Sequence, residues 1–123
     1  MSKEIKKILI IDDDVTALDI VDFLFEDHGF EVIRRPDGQS ALDCIEDESP
    51  DIALVDLMMP QMSGQECVKK IRAKGIQIPI VAFTALDDPD IHREALDAGC
   101  NLVLTKPCKP VILVKHIEDF LGG

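Results

Sequence analysis

Asp12, Asp13 and Asp14 stand together directly after the apolar run ILII, Asp56 follows IALV, Thr84 follows IVAF, and Lys106 follows LVLT. Each polar group closes its own short apolar run, where a strand hands over to a loop. Carboxylates from two strands and a lysine from a third would form a small, oxygen-rich pocket. At ~4 Å and an effective dielectric of roughly 20, each like-charge pair costs on the order of 4 kcal/mol. Stability alone does not choose that grouping, and a bound cation relieves it. All-oxygen ligands point to Mg²⁺, with Mn²⁺ also accommodated, and water completing an octahedron. Without the metal, one carboxyl is expected to have a raised pKa. A carboxylate that attacks phosphorus forms an acyl phosphate, so Asp56 is the candidate nucleophile. Lys106 supplies a second cation and Thr84 a hydroxyl donor.

That pocket requires elements that bring the runs to one edge. Short apolar runs alternate with amphipathic segments, the pattern of βαβ units and a parallel sheet. The expected strands are Lys7–Ile11, Glu31–Arg34, Ile52–Val55, Ile78–Phe83 and Asn101–Leu104. ILII, IALV and IVAF are apolar throughout, as strands covered on both faces are. EVIRR is more polar and fits a sheet edge. The first helix is expected over Val15–His28, with Ala17, Leu18, Val21, Leu24 and Phe25 at helical spacing and Gly29 as its stop. A second fits Gly38–Glu48. The third opens on the capping box Ser63-x-x-Glu66 and ends near Gly75. The fourth takes Asp88 as N-cap and Pro89 at its first position, and Gly99 closes it. Pro110 starts the last, whose buried stripe is Leu113, Val114, Ile117, Phe120 and Leu121. In a parallel sheet the strands' carboxyl ends share one edge, and ligands bind there. The fold expected is α/β, a three-layer sandwich forming one domain over residues 1–123.

The bulk properties narrow the function. With 123 residues the chain is long enough for one core, and 46% apolar content argues against disorder. No apolar run approaches the ~20 residues of a membrane span. MSKEIKK is basic but only ILII follows, so a signal peptide is not expected. A net charge of −11 leaves no cationic surplus for displacing counterions from nucleic acid. Cys44, Cys67, Cys100 and Cys108 lack CxxC spacing and paired histidine ligands, which suits reduced thiols in a cytoplasmic setting. His28, His92 and His116 adjoin no nucleophile motif and read as surface or packing residues.

The chain resembles the receiver domain of bacterial two-component response regulators over essentially its full length. ILIIDDD matches the first strand and acidic pair of that family. LVDLMMPQMSG, with Met59, Pro60, Met62 and Gly64, matches its phospho-acceptor strand and loop. Phe83-Thr84-Ala85 and Lys106-Pro107 match the remaining two signatures in order and spacing. The resemblance implies a flavodoxin-like, five-stranded parallel sheet of order 2-1-3-4-5 with five helices. It implies that Asp56 is phosphorylated by a sensor histidine kinase or a histidine phosphotransfer protein in a Mg²⁺-dependent reaction. Asp13 would then ligate Mg²⁺ directly and Asp12 through water, with Asp56 and the Met58 carbonyl as further ligands. Thr84, the amide of Ala85 and Lys106 would hold the phosphoryl oxygens, and the Lys106-Pro107 bond would be cis. Such a module is a signalling domain, not an enzyme acting on other substrates, and it promotes its own phosphorylation and dephosphorylation. It would switch a protein-interaction surface toward a downstream effector, as a monomer or a phosphorylation-dependent dimer. No effector segment is expected after Phe120-Leu121-Gly122-Gly123, and output is expected through protein contacts.

Two positions depart from the family pattern, and a third, Asp14, sits where the family varies. Val103 stands where many receivers carry an aromatic three residues before the lysine, so an aromatic switch is not expected. Cys108 replaces a frequent Phe. Asp14 either caps the first helix or lies beside the pocket. Met58 and Leu86, bulky and apolar, stand where the resemblance places the flanks of the path of attacking water. Two other readings compete. Asp12-x-Asp14-x-Thr16 also fits the DxDxT motif of haloacid-dehalogenase-type phosphatases, with Asp12 as nucleophile and Asp14 as acid/base. Those enzymes place their last acidic motif after the lysine, whereas Asp87-Asp88 precedes Lys106, and Asp56 would be left unexplained. The second alternative is a receiver-like module that binds partners without being phosphorylated.

Overall fold

The computed structural model describes residues 5–122, in which five strands alternate with five helices. They are β1 (Lys7–Ile11), α1 (Val15–Asp27), β2 (Glu31–Arg35), α2 (Gly38–Glu48), β3 (Ile52–Val55), α3 (Gly64–Ala73), β4 (Ile80–Thr84), α4 (Pro89–Ala98), β5 (Leu102–Thr105) and α5 (Pro110–Phe120). Every neighbouring pair is parallel, in the order β2-β1-β3-β4-β5. This is the flavodoxin-like order expected above. Residues 1–4 and 123, the ends of the expected domain, lie outside the described residues, as does most of the basic N-terminal segment.

The apolar runs explain the three layers. Side chains alternate across a strand with period two. Ile8 and Ile10 therefore face α1 and α5, in a cluster with Leu18, Phe25, Leu113 and Ile117. Leu9 and Ile11 face the opposite side, in a cluster with Ala41, Ile45, Val68, Ile71 and Ala95 from α2, α3 and α4. Ile52 and Leu54 repeat the first pattern, and Ala53 and Val55 the second. Two cores sandwich one sheet, which fixes the strands' register and hence where their carboxyl ends fall.

Element boundaries moved where a local group competes with the ladder. β4 begins at Ile80 rather than Ile78, because Pro79 has no N–H to donate and contributes only its carbonyl, to Ala53 N at 3.1 Å. β5 begins at Leu102 because the Asn101 side chain accepts from Ile80 N at 2.8 Å and from Arg72. Asp14, Asp37, Ser63 and Asp88 cap the N-termini of α1 to α4 through their side chains. Of the capping box only one half forms: Ser63 Oγ accepts from Glu66 N at 3.1 Å, while Glu66 pairs with Lys70 at 3.6 Å. At α4 the closing Gly99 has φ 125°, a conformation that a side chain would strain.

All four cysteines are free thiols, and burial pushes Cys67 and Cys100 up to about 11. Among the described residues no helix is long and apolar enough to cross a membrane.

Candidate functional site

The parallel order puts β1 beside β3 and β4 beside both β3 and β5, so the residues that end these strands meet at one edge. Asp12 leaves β1 and is buried; Asp13 follows it and is exposed. Asp56 leaves β3, and its amide donates to the Ile11 carbonyl at 2.9 Å, which extends the sheet pairing one residue past the strand and holds Asp56 beside β1. Asp12, Asp13 and Asp56 each bring a carboxylate oxygen within 4.8 Å of the others. Lys106 reaches the same place from beyond β5, its Nζ donating to Asp12 Oδ2 at 2.9 Å and lying 5.2 Å from the centre of the Phe83 ring. Its amide donates to Thr84 O at 2.7 Å, and the Lys106-Pro107 peptide is cis. Thr84 is fully buried at the end of β4, and its Oγ1 accepts from Leu86 N at 3.2 Å. Ala85 is exposed beside it.

The loop after β3 is shaped to hold Asp56. Its carboxylate accepts from Met58 N at 3.2 Å, which turns the chain sharply back. Gln61 adopts φ 71°, and Gly64 N returns to Leu57 O at 3.0 Å. Gly64 sits against the Asp56 carbonyl: a Cβ there would collide with that oxygen and stand 2.7 Å from Leu57 Cα. Met62 closes the loop from outside by packing on Gly38, where a Cβ would lie 2.6 Å from the Met62 sulfur.

Electrostatics single out one carboxyl. Burial pushes Asp56 up to about 6 from an ordinary 3.8, opposed by the Met58 amide, raised further by the charge of Asp12, lowered by Lys106 and raised by Asp13. The expectation of one raised carboxyl is met at Asp56. Three carboxylates face a single ammonium, so the cluster keeps a negative excess. Carboxylate oxygens without thiol or imidazole make a hard donor set, and a divalent cation such as Mg²⁺ fits it.

The structure brings Asp12, Asp13, Asp56 and Lys106 into contact range and places Thr84 at the end of β4 and Ala85 and Met58 on the loops around them. The Asp14 amide donates to Asp12 Oδ1 at 3.0 Å, but the Asp14 carboxylate is not among the clustered ones. Asp14 Oδ1 accepts from Thr16 N at 3.0 Å and Ala17 N at 3.4 Å, so Asp14 is the N-cap of α1. A phosphatase reading that needs Asp14 as acid/base loses its proton carrier to that cap. His92, expected to be a surface or packing residue, bonds the Leu86 carbonyl through Nε2 at 2.6 Å. No spacing in the chain signals this bond, because the loop between β4 and α4 must first fold back.

Comparison with known proteins agrees with this geometry. The family model described as the response regulator receiver domain matches residues 8–118. The chain is 35% identical over 115 residues to the uncharacterized 14.6 kDa protein of the sodA1 3′ region of Leptolyngbya boryana, covering 92% of this chain and 88% of that one. It is 34% identical over 105 residues to the alkaline phosphatase synthesis transcriptional regulatory protein PhoP of Bacillus subtilis, covering 85% of this chain but only 44% of that regulator. The solved structure of the chemotaxis protein CheY4 of Vibrio cholerae superposes with a TM-score of 0.90 at 29% identity, covering 95% of this chain and 99% of that one. With the family's fold, its order of signatures and its acidic cluster all present, the chain belongs to the response regulator receiver domain family of two-component signalling.

Proposed function

We infer that the whole chain, residues 1–123, is one receiver module whose phosphoacceptor is Asp56, served by a cytoplasmic histidine kinase or histidine phosphotransfer protein. The observation that carries this reading is the convergence of Asp12, Asp13 and Asp56 within 4.8 Å, with Lys106 already paired to Asp12. Asp12, Asp13, Asp56 and the Met58 carbonyl would hold Mg²⁺. When bound, that ion offsets the negative charge that gathers on the transferring phosphoryl oxygens.

An ionised Asp56 oxygen attacks the phosphorus of a phosphohistidine; the P–O bond forms as the P–N bond breaks, and the partner's imidazole leaves. With a pKa of about 6, Asp56 is mostly in the attacking form above neutrality. The Met58 amide orients the carboxylate. Lys106 turns from Asp12 toward a phosphoryl oxygen, while the Thr84 hydroxyl and the Ala85 amide donate to others. These charge-assisted bonds are worth ~1.5–3 kcal/mol each and exist only in the phosphorylated state, enough to shift a two-state loop roughly ten- to a hundredfold. The output is a changed protein surface read by a downstream effector, without direct contact to nucleic acid. The activity is self-directed: the module promotes its own phosphorylation and the later hydrolysis of its acyl phosphate.

Incubation with acetyl phosphate and Mg²⁺ tests the assignment by intact mass. One phosphoryl group should be added to the wild-type chain and none to Asp56→Asn. Equal labelling of both proteins removes Asp56 from this role. Labelling of neither, with no response to beryllofluoride, favours a module that binds partners without phosphorylation.

A further inference from the structure

His92 is the residue of α4 that reaches back to the loop leaving β4. Its Nε2 lies 2.6 Å from the Leu86 carbonyl oxygen. A carbonyl only accepts, so Nε2 carries the proton and donates. On the other side of the same residue, Leu86 N donates to Thr84 Oγ1 at 3.2 Å. Leu86 is thus held at both ends, from within by a fully buried hydroxyl and from without by an imidazole.

Little else fixes this loop. Asp88 is occupied at the start of α4, where its side chain accepts from Asp90 N at 2.8 Å and its carbonyl from His92 N at 3.0 Å. Ala85 and Asp87 are exposed. Apart from Thr84, no side chain but His92 bonds the backbone of Ala85, Leu86 or Asp87 among the described residues. The Thr84 hydroxyl therefore depends on Leu86 for its orientation. With its lone pair on Leu86 N, its hydrogen meets no acceptor among the described residues and is free to serve the pocket.

We propose that His92 is a positioning residue for the phosphoryl group: by holding Leu86, it orients the Thr84 hydroxyl, fixes the rim of the pocket and sets how long the acyl phosphate lasts. The proposal rests on Asp56 as phosphoacceptor. Loss of the group requires water to attack phosphorus; the bond from phosphorus to the Asp56 oxygen breaks, and aspartate and inorganic phosphate separate. A loop released from α4 opens the rim to water and lets the Thr84 hydroxyl turn away from the phosphoryl oxygens. Both changes shorten the lifetime.

The test compares wild type, His92→Ala and His92→Gln. Glutamine carries an amide donor near the position of Nε2, and alanine carries none. In the unphosphorylated protein, the Leu86 amide resonance should move in His92→Ala and return toward its wild-type position in His92→Gln. After acetyl phosphate is removed, the phosphoryl group should decay threefold to tenfold faster in His92→Ala, and within twofold of wild type in His92→Gln. An unmoved Leu86 resonance in His92→Ala overturns the proposal. So does a wild-type decay rate in His92→Ala, or a decay rate raised equally in both variants. Absence of labelling in the wild-type protein instead removes the phosphoacceptor reading, and the proposal about lifetime falls with it even where the Leu86 resonance moves.

Discussion

Lys106 donates from Nζ to Asp12 Oδ2 at 2.9 Å, joining residues 94 positions apart and occupying a carboxylate that a metal would use. The ammonium and a divalent cation therefore compete for the same charge. Lys106→Met should tighten Mg²⁺ binding several-fold by calorimetry, while losing most of the beryllofluoride-induced shifts beyond the pocket in NMR spectra. Weaker Mg²⁺ binding in the variant would mean that the lysine mainly organises Asp12.

Asp56 should titrate near pH 6 in the metal-free protein and lower when Mg²⁺ is present. Its folded pKa of about 6 exceeds the ordinary 3.8, so the folded chain binds this proton more tightly than the unfolded chain does. The stabilisation is complete below about pH 4 and is lost as pH rises through about 6. Above that, ionised Asp56 is a net cost. A shift of that size corresponds to on the order of 3 kcal/mol, which screening at this half-buried site reduces to about 1 kcal/mol. Asp56→Asn should thus raise the Tm of the metal-free protein at pH 7.5 by roughly 4 °C or more, and much less at pH 4. Equal melting of the two proteins at pH 7.5 would place the cost elsewhere.

Asp13 and Asp14 adjoin in sequence but do different work. Asp13→Asn should weaken Mg²⁺ binding at least tenfold in an NMR titration, because it removes a carboxylate from the cluster. Asp14→Asn should leave Mg²⁺ affinity within about twofold, since asparagine caps helices as well as aspartate. Asp14→Ala should cost about 1 kcal/mol in denaturant unfolding. A larger metal loss from Asp14→Asn than from Asp13→Asn would move the site by one residue.

Gly64→Ala should disturb the phosphoacceptor from behind. The new methyl would strike the Asp56 carbonyl and lie 2.7 Å from Leu57 Cα, and backbone atoms cannot swing aside. Overpacking of this kind costs about 1–3 kcal/mol. We expect that loss of stability together with slower labelling by acetyl phosphate. Gly75→Ala, where a Cβ meets nothing within 4 Å but φ is +82°, serves as a control. It should lower stability without slowing the labelling.

The elements, their succession along the chain and the class of chemistry were legible in the amino-acid sequence alone. Wholly apolar runs, helix caps at Ser63 and Asp88, and stops at Gly29 and Gly99 are local signals that need no partner. The placement of Asp12, Asp13, Asp56, Thr84 and Lys106 at strand ends was legible for the same reason, since parallel strands must gather their carboxyl ends. Tertiary structure decided what the local signals leave open. Asp14 could cap or line the pocket until the geometry of α1 took both side-chain bonds. Asn101 shortened β5 only because the neighbouring strand offered the Ile80 amide to its side chain. The pKa of Asp56, the Lys106–Asp12 pair and the His92–Leu86 bond depend on burial and on distances across the fold. Such quantities arise when remote segments exclude water from a common space, and no spacing along the chain encodes them directly.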